Sequence, residues 1–498
     1  MIVAHDLGTS GNKASLHDES GHTLATLTVD YAPTFAAGGV AEQDPEQWWE
    51  AVGSATRRLL ELAGVPGSAV TGLGMSGQMM GAVFLDEAHR PVRPAIIWAD
   101  HRSTAQADAL LARVGQADAY RQLGHRIHPT YTLAKMMWVR DCEPEVWART
   151  RHVCVAKDFV VQRLTGTLVT DPSDASGTDA YDQEAGTWSS LLLDAAGISA
   201  DVLPPVVDST TVVGGLTAAA AAHTGLPVGT PVVLGGGDGP MAAVGAGVVS
   251  PEDGAYVCLG SSSWISASSP GPLHDPAMRS MTFNHVVPGQ FVPTATMQAG
   301  GASLSWVMEL LGATGARFDE LLTQAGTVRA ADEGLFFLPY LLGERSPHWN
   351  AAASGVFAGL QRHHGPAHMV RAVLEGVAFN LATCISAFTE NGIPVDSVDV
   401  IGGGATSDVW MQVLADTWQL PVRRRSIVAD ANSLGAAVTA AVGLGLVPDF
   451  GVARSLSTTT AEFPPDGSRA GLAERQHAVF QDAYDRLEPW FDNRTVTR

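Results

Sequence analysis

Cysteine is scarce in this 498-residue chain: Cys142, Cys154, Cys258 and Cys384 are all there are, and none stand in CxxC spacing. That leaves no disulfide framework and no cysteine-built zinc site, which suits a reducing, cytoplasmic setting. Positive charge is short too, with 30 Lys plus Arg against 51 Asp plus Glu and a net charge of −21. A nucleic-acid partner is argued against, because phosphate backbones are gripped by basic faces. Lysine is almost missing, and Lys13, Lys135 and Lys157 are its three occurrences. No long hydrophobic run exists either. Leu434 to Val447, broken by threonine and glycine, is too short to cross a bilayer. No charged leader precedes the first strand-like residues, so neither membrane nor secretion is expected.

What is plentiful is glycine, 53 residues in all, and its placement organises the chain. Val232 to Leu234 is a β-branched run that stops in Gly235-Gly236-Gly237-Asp238-Gly239, after which Pro240 can open a helix of small residues. Strand, bare backbone, acid, helix: this grammar presents Asp238 at the mouth of a sheet, or else marks a tight turn with an incidental acid. Asp238 is expected to be an exposed aspartate with an ordinary pKa of about 4.

The chain is too long for one core, and two domains of about 250 residues are expected. Ile2 to His5 reads as a strand running into Asp6-Leu7-Gly8-Thr9-Ser10-Gly11-Asn12-Lys13, and Ala14 to Leu16 as its return. The spacing is not that of a P-loop. Taken alone this is a polar hairpin turn; with its hydroxyls, amides and Lys13 it is also a candidate phosphate cradle. An echo lies some 250 residues on, where Ala255 to Leu259 runs into Gly260-Ser261-Ser262-Ser263 and returns through Trp264 to Ser266. A duplicated domain, with two such hairpins facing across a cleft, is the simplest account.

Other stretches supply candidates. Ser76-Gly77-Gln78-Met79-Met80 follows an apolar run, and Gln78 suits a polyol while the methionines suit a core. Ala95 to Trp98 is a strand ending before Asp100 and Arg102, which fits sugar recognition or a salt-bridged helix start. Lys135 and Lys157-Asp158 fall in helical patterns, and Thr170 to Thr178 reads as an oxygen-rich structured turn. Pro366 to Asn391 is an amphipathic helix. Val398 to Ile401 is a strand entering Gly402-Gly403-Gly404-Ala405-Thr406-Ser407, and bare glycine backbone at a helix start is a nucleotide platform.

In order and spacing these segments resemble the FGGY family of carbohydrate kinases over nearly the whole chain. The carriers are Asp6-Leu-Gly-Thr-Ser-Gly, Glu42-Gln-Asp-Pro-Glu-Gln-Trp-Trp, Ser76-Gly-Gln-Met, Ile97-Trp98, Lys135 with Trp138, Lys157-Asp158 and Gly235-Gly-Gly-Asp238. Leu338-Pro-Tyr-Leu-Leu-Gly-Glu-Arg-Ser-Pro-His348, the stretch Gly355 to Glu375 and Gly402-Gly-Gly-Ala-Thr-Ser complete them.

The resemblance implies an α/β fold of two ribonuclease-H-like (actin/hexokinase-type) domains around a central cleft. Residues 1–247 would form a sugar-binding domain and 248–498 a nucleotide-binding one. It implies ATP-dependent phosphorylation of a small sugar, with the members that phosphorylate D-xylulose the nearest pattern and another ketose, polyol or sugar acid as the alternative. Asp238 would be the base and Asp6 would help hold Mg2+. Gln78, Met79, Met80, Trp98 and Asp100 would meet the sugar. Thr9, Ser10, Lys13, Gly260 and Ser261 would face phosphates, and Gly301, Ser305, Gly403, Gly404, Ala405 and Asp408 would line the nucleotide pocket. The pattern departs at Met80, where many D-xylulose kinases carry histidine, and at Gly239-Pro240. The expected partners are a sugar and ATP, with a homodimer as the assembly. A non-kinase actin-like ATPase and a metal-dependent nuclease are the rivals, the latter disfavoured by the net charge.

Overall fold

The computed structural model describes residues 1–18, 21–426 and 430–494. Its first sheet is built from β1 (Ile2–Leu7), β2 (Gly11–His17), β3 (Thr23–Asp30), β4 (Gly72–Gly77), β5 (Val212–Gly215) and β6 (Pro231–Gly237) in the order β5-β6-β4-β1-β2-β3. β1, β4 and β6 run parallel; β2 and β3 return antiparallel as a meander. The second sheet comprises β7 (Ala255–Leu259), β8 (Ser263–Ala267), β9 (Met281–Asn284), β10 (Phe291–Met297), β11 (Val398–Ile401), β12 (Val422–Arg425) and β13 (Thr459–Phe463), ordered β9-β10-β8-β7-β11-β12-β13. There too a three-stranded antiparallel meander, β10-β8-β7, is extended by two parallel strands, β11 and β12. The sheet is therefore repeated, as the two hairpin loops suggest, and each copy has ribonuclease-H-type order.

Period-two burial on the central strands determines what faces what. Val3 and Leu7 pack with α1 (Pro45–Ala63) and α2 (Ala156–Thr165) on one face of the first sheet. Ile2 and Ala4 pack on the other face, against Met241 and Val244 of α3 (Asp238–Ala246). Asp6 shares the parity of Ile2 and Ala4, so it stands on that second face. In the second sheet Ala255, Val257 and Leu259 enter the large core of that half, while Tyr256 packs with Ala242, Ala243 and Ala246 of α3.

The two halves are joined through α3 and α7 (Ala431–Gly443), which follows β12 in the second half yet buries Leu434 and Ala436 beside Ile2 and Ala4 of the first sheet. The helices cross closely. A Cβ on Gly435 would lie 2.1 Å from the carbonyl oxygen of Met241, so only glycine allows this approach. α5 (Pro366–Thr389) is long and apolar enough to span a membrane, but 83% of its apolar window is buried as the central helix of the second half. Apolarity here serves the core.

Candidate active site

The parallel strands bring the chemistry to one edge. Asp6 of β1 pairs in register with Ser76 of β4, and Ser76 with Gly236 of β6; one step on, Gly77 pairs with Gly237. Asp238 is the next residue, at the first turn of α3. The carboxyl ends of parallel strands are where open α/β sheets bind ligands, and three adjacent strand ends meet here. Gly235 lies in the bulge of β6 between Val233 and Gly236: its φ is +74°, and a Cβ there would lie 1.7 Å from the Met75 carbonyl oxygen.

Asp238 is not the exposed, ordinary carboxylate expected from the sequence. It is half-buried, and burial together with the charge of Asp6 pushes its pKa up to about 7. Its Oδ1 accepts from the amide of Gly239 at 2.9 Å. Asp6 is half-buried as well, and desolvation raises its pKa against the opposing hydrogen bonds of Ser76 and Asn432. Ser76 Oγ donates to Asp6 Oδ1 at 2.8 Å and Asn432 Nδ2 approaches the same oxygen at 3.4 Å.

The first hairpin loop is held from several sides. Tyr31 donates its hydroxyl to the Gly8 carbonyl at 2.8 Å, Gln43 donates to the Thr9 carbonyl, and Trp98 Nε1 donates to Thr9 Oγ1 at 2.8 Å. Ser10 is exposed. Lys13 meets Asp430, beside α7, at 3.2 Å, so this cation bridges the halves where a free phosphate ligand was expected.

Beside β4, Gln78 is buried and donates to Gln43 at 2.7 Å. Met79 packs on Gly237, where a Cβ would meet its Cγ at 2.5 Å. Met80 has a φ of +66° and clusters with Tyr131, Met281, Phe283 and Trp349. Buried Lys135 donates to the Met80 carbonyl at 2.7 Å, and burial lowers its pKa to about 7. Of the two readings of Asp100 the salt-bridged one holds and the sugar contact does not: it is fully buried, and its oxygens are taken by Arg102 and by the amide of Ala41. It braces the turn after Trp98 and offers no oxygen to a sugar.

In the second half, the amides of Gly301 and Ala302 donate to the carbonyls of Gly260 and Ser261 at 2.7 and 3.0 Å, so the second hairpin loop and α4 (Gly301–Leu310) form one surface, with Ser261 and Ser305 exposed. The glycine triplet does not open α6 (Asp408–Trp418) directly, because a 3-10 turn over Gly403–Thr406 intervenes. Gly403 is exposed and Gly404 half-buried, while the Ala405 side chain is buried and its carbonyl accepts from Arg424 at 2.6 Å. Asp408 is exposed and paired with Arg424 at 2.5 Å, so Arg424 ties Ala405 and Asp408 together beside the glycine turn.

Reading the sequence missed Asn432 and the cluster behind Asp238, where Lys157 lies between Asp158, Asp171 and Asp174 at 2.7, 3.2 and 3.4 Å, all buried. The near-absence of lysine and the acids of the Thr170–Thr178 turn were the available signals. Pairing them takes the fold.

A repeated ribonuclease-H-type sheet, with an acid pair at the strand ends of the first copy, defines a two-lobed fold of the actin/hexokinase type. Residues 1–245 match the N-terminal domain and residues 255–444 the C-terminal domain of the FGGY family of carbohydrate kinases, and the chain belongs to that family. It is 36% identical over 493 residues to a xylulose kinase of Escherichia coli (strain K12), covering 98% of this chain and 99% of that one. A gluconokinase of Bacillus licheniformis is 30% identical, covering 98% and 96%. Among solved structures, the xylulose kinase of Rhodospirillum rubrum superposes with a TM-score of 0.92 at 30% identity, covering 98% of this chain and 99% of that one.

Proposed function

We propose that this kinase transfers the γ-phosphoryl group of ATP to a hydroxyl of D-xylulose, giving D-xylulose 5-phosphate. The chemistry rests on one observation: Asp6, Ser76 and Gly236 to Asp238 converge on adjacent parallel strand ends. The sugar rests on full-length similarity to xylulose kinases, with the gluconokinase a more distant relative.

In this reading Asp238 orients the attacking hydroxyl and takes its proton, and a pKa of about 7 makes it a far better acceptor near neutrality than an ordinary aspartate. Thr9, Ser10, Gly260 and Ser261 offer hydroxyl and amide donors to phosphate oxygens. Gln78, Met79, Met80 and Trp98 shape the sugar side, with Asp100 bracing the Trp98 turn. Gly301, Ser305, Gly403 and Gly404 border the nucleotide, with Ala405 and Asp408 acting through their tie to Arg424. The division of labour is sugar to residues 1–247 and nucleotide to 248–498, and closure of the halves excludes water.

The donor set fits Mg2+. Ser76 and Asn432 both address Oδ1 of Asp6, so Oδ2 is the oxygen left for a cation, and two crowded carboxylates with raised pKa values are the pair a divalent ion relieves. When bound, Mg2+ neutralises charge on the β- and γ-phosphate oxygens.

A panel of D-xylulose, D-ribulose, D-gluconate and alditols, assayed for ATP-dependent phosphorylation, tests the proposal. D-xylulose should give the highest kcat/KM. A higher value for gluconate or ribulose would reassign the sugar, and ATP turnover indifferent to all of them would remove the kinase reading.

A further inference from the structure

Behind the proposed base lies a buried charged cluster that the phosphoryl-transfer reading does not use. Lys157, Asp158, Asp171 and Asp174 are buried, and the Lys157 ammonium lies 2.7 to 3.4 Å from an oxygen of each acid. Burying one ammonium with three carboxylates carries a large desolvation cost, so each member is held by its partners.

The cluster reaches the strand end that carries Asp238 by two hydrogen-bonded arms. Asp171 is the N-cap of the short helix Pro172–Ala175, and its Oδ2 accepts from the amide of Ser173 at 3.0 Å. The same oxygen accepts from the hydroxyls of Ser173 and of Ser209, the latter at 2.8 Å. Ser173 Oγ, with its proton directed to Asp171, accepts from the amide of Gly237 at 2.9 Å. Ser209 contributes its carbonyl, which accepts from the amide of Gly235 at 2.9 Å. Gly236, between the two clamped amides, has no room for a side chain: a Cβ there would lie 2.5 Å from Ser173 Oγ and 3.0 Å from Asp171 Oδ2. The peptide that leads into Asp238 is thus seated on the cluster with its hydrogen-bond polarity fully specified.

We propose that Ser173 is a positioning residue for phosphoryl transfer, its hydroxyl transmitting the fixed geometry of the Lys157–Asp171–Asp174 cluster to the Gly237 amide and so aiming the Asp238 carboxylate at the acceptor hydroxyl. The proposal rests on the assignment of Asp238 as base. The physical demand is one of precision, because a displacement of about 1 Å at a reacting group can cost about 10²-fold in rate. Cluster charges cannot be removed singly without leaving a buried ion unpaired, whereas the Ser173 hydroxyl can be deleted without changing charge.

The test is a double-mutant cycle with Ser173→Ala and Asp238→Asn, reading kcat, the KM for ATP and Tm, with Ser173→Thr as the variant that keeps the hydroxyl. Ser173→Ala should lower kcat about tenfold or more with the KM for ATP within about twofold, Ser173→Thr should recover most of that loss, and Ser173→Ala should cost less than about twofold in the Asp238→Asn background. An unchanged kcat in Ser173→Ala, or an equal loss in both backgrounds, overturns the positioning role while leaving the base intact. If Ser173→Ala does not fold, a Ser173→Thr enzyme with a tenfold loss equal in both backgrounds overturns it as well. Retention of kcat by Asp238→Asn alone identifies the failure as that of the base assignment.

Discussion

Asn432 places its amide nitrogen 3.4 Å from Oδ1 of Asp6, although 426 residues separate them. The contact comes from α7 of the second half and ends on β1 of the first. Together with the Lys13–Asp430 ion pair, it brings the start of that helix to the first hairpin loop. Both acids of the cleft belong to the first half, but the second half supplies a donor to one of them, so the electrostatics of the pair depend on how the halves pack.

The raised pKa of Asp238 sets a pH dependence. A base with a pKa of about 7 is half protonated at that pH, so kcat/KM should rise with pH through about 7 and level above it. An ordinary aspartate would place this limb near 4. Asp238→Asn should lose the limb along with about 10² to 10⁴ of kcat, with the KM for ATP little changed. A pH–rate profile flat from 5 to 8 would contradict the assignment.

Glu344 makes a prediction about stability. It is buried, accepts from the amides of Gln298 and Arg345 at 2.8 and 2.9 Å, and burial raises its pKa from 4.5 to about 8. Because the folded state holds the proton more tightly than the unfolded chain, its contribution is fully present below pH 4.5 and is lost as pH rises to about 8. Glu344→Gln keeps an acceptor and cannot titrate. Denaturant melts at pH 5 and pH 8 should therefore show a smaller loss of stability in the variant than in the unsubstituted protein.

At the crossing of the two joining helices, Gly435→Ala puts a methyl 2.1 Å from a backbone carbonyl that cannot swing aside. Overpacking of this kind costs about 1–3 kcal/mol. Urea unfolding should report a loss in that range, and a variant as stable as the parent would show that α3 and α7 slide apart freely.

Met80 has a left-handed backbone, and in the proposed reading it stands on the sugar side. Histidine tolerates positive φ better than an unbranched apolar residue and adds a hydrogen-bonding ring. Met80→His should therefore fold normally and raise kcat/KM for D-xylulose relative to the other sugars, since a matched buried hydrogen bond discriminates more sharply than an apolar contact. An unchanged ratio would take Met80 out of the specificity argument.

Local chemistry was legible from the residues alone. The strand from Ile2 to His5, two residues short of the observed end at Leu7, the Leu-Gly-hydroxyl loops after β1 and β7, and the glycine stop of β6 before Asp238 each follow from local apolar runs and turn propensity, and they suffice to reveal a repeated α/β architecture with an acid at a strand end. What the tertiary structure alone decided is the environment of those residues. Lys157 looked like a helix-opening lysine and proved to be the buried centre of three carboxylates; Asp100 fitted a sugar ligand or a salt-bridged helix start and is held by Arg102; Asp238 looked ordinary and is driven to about 7 by burial and by Asp6. The reason is physical: periodicity is written within a few residues, whereas desolvation and charge coupling arise only when strands and helices distant in the chain come together.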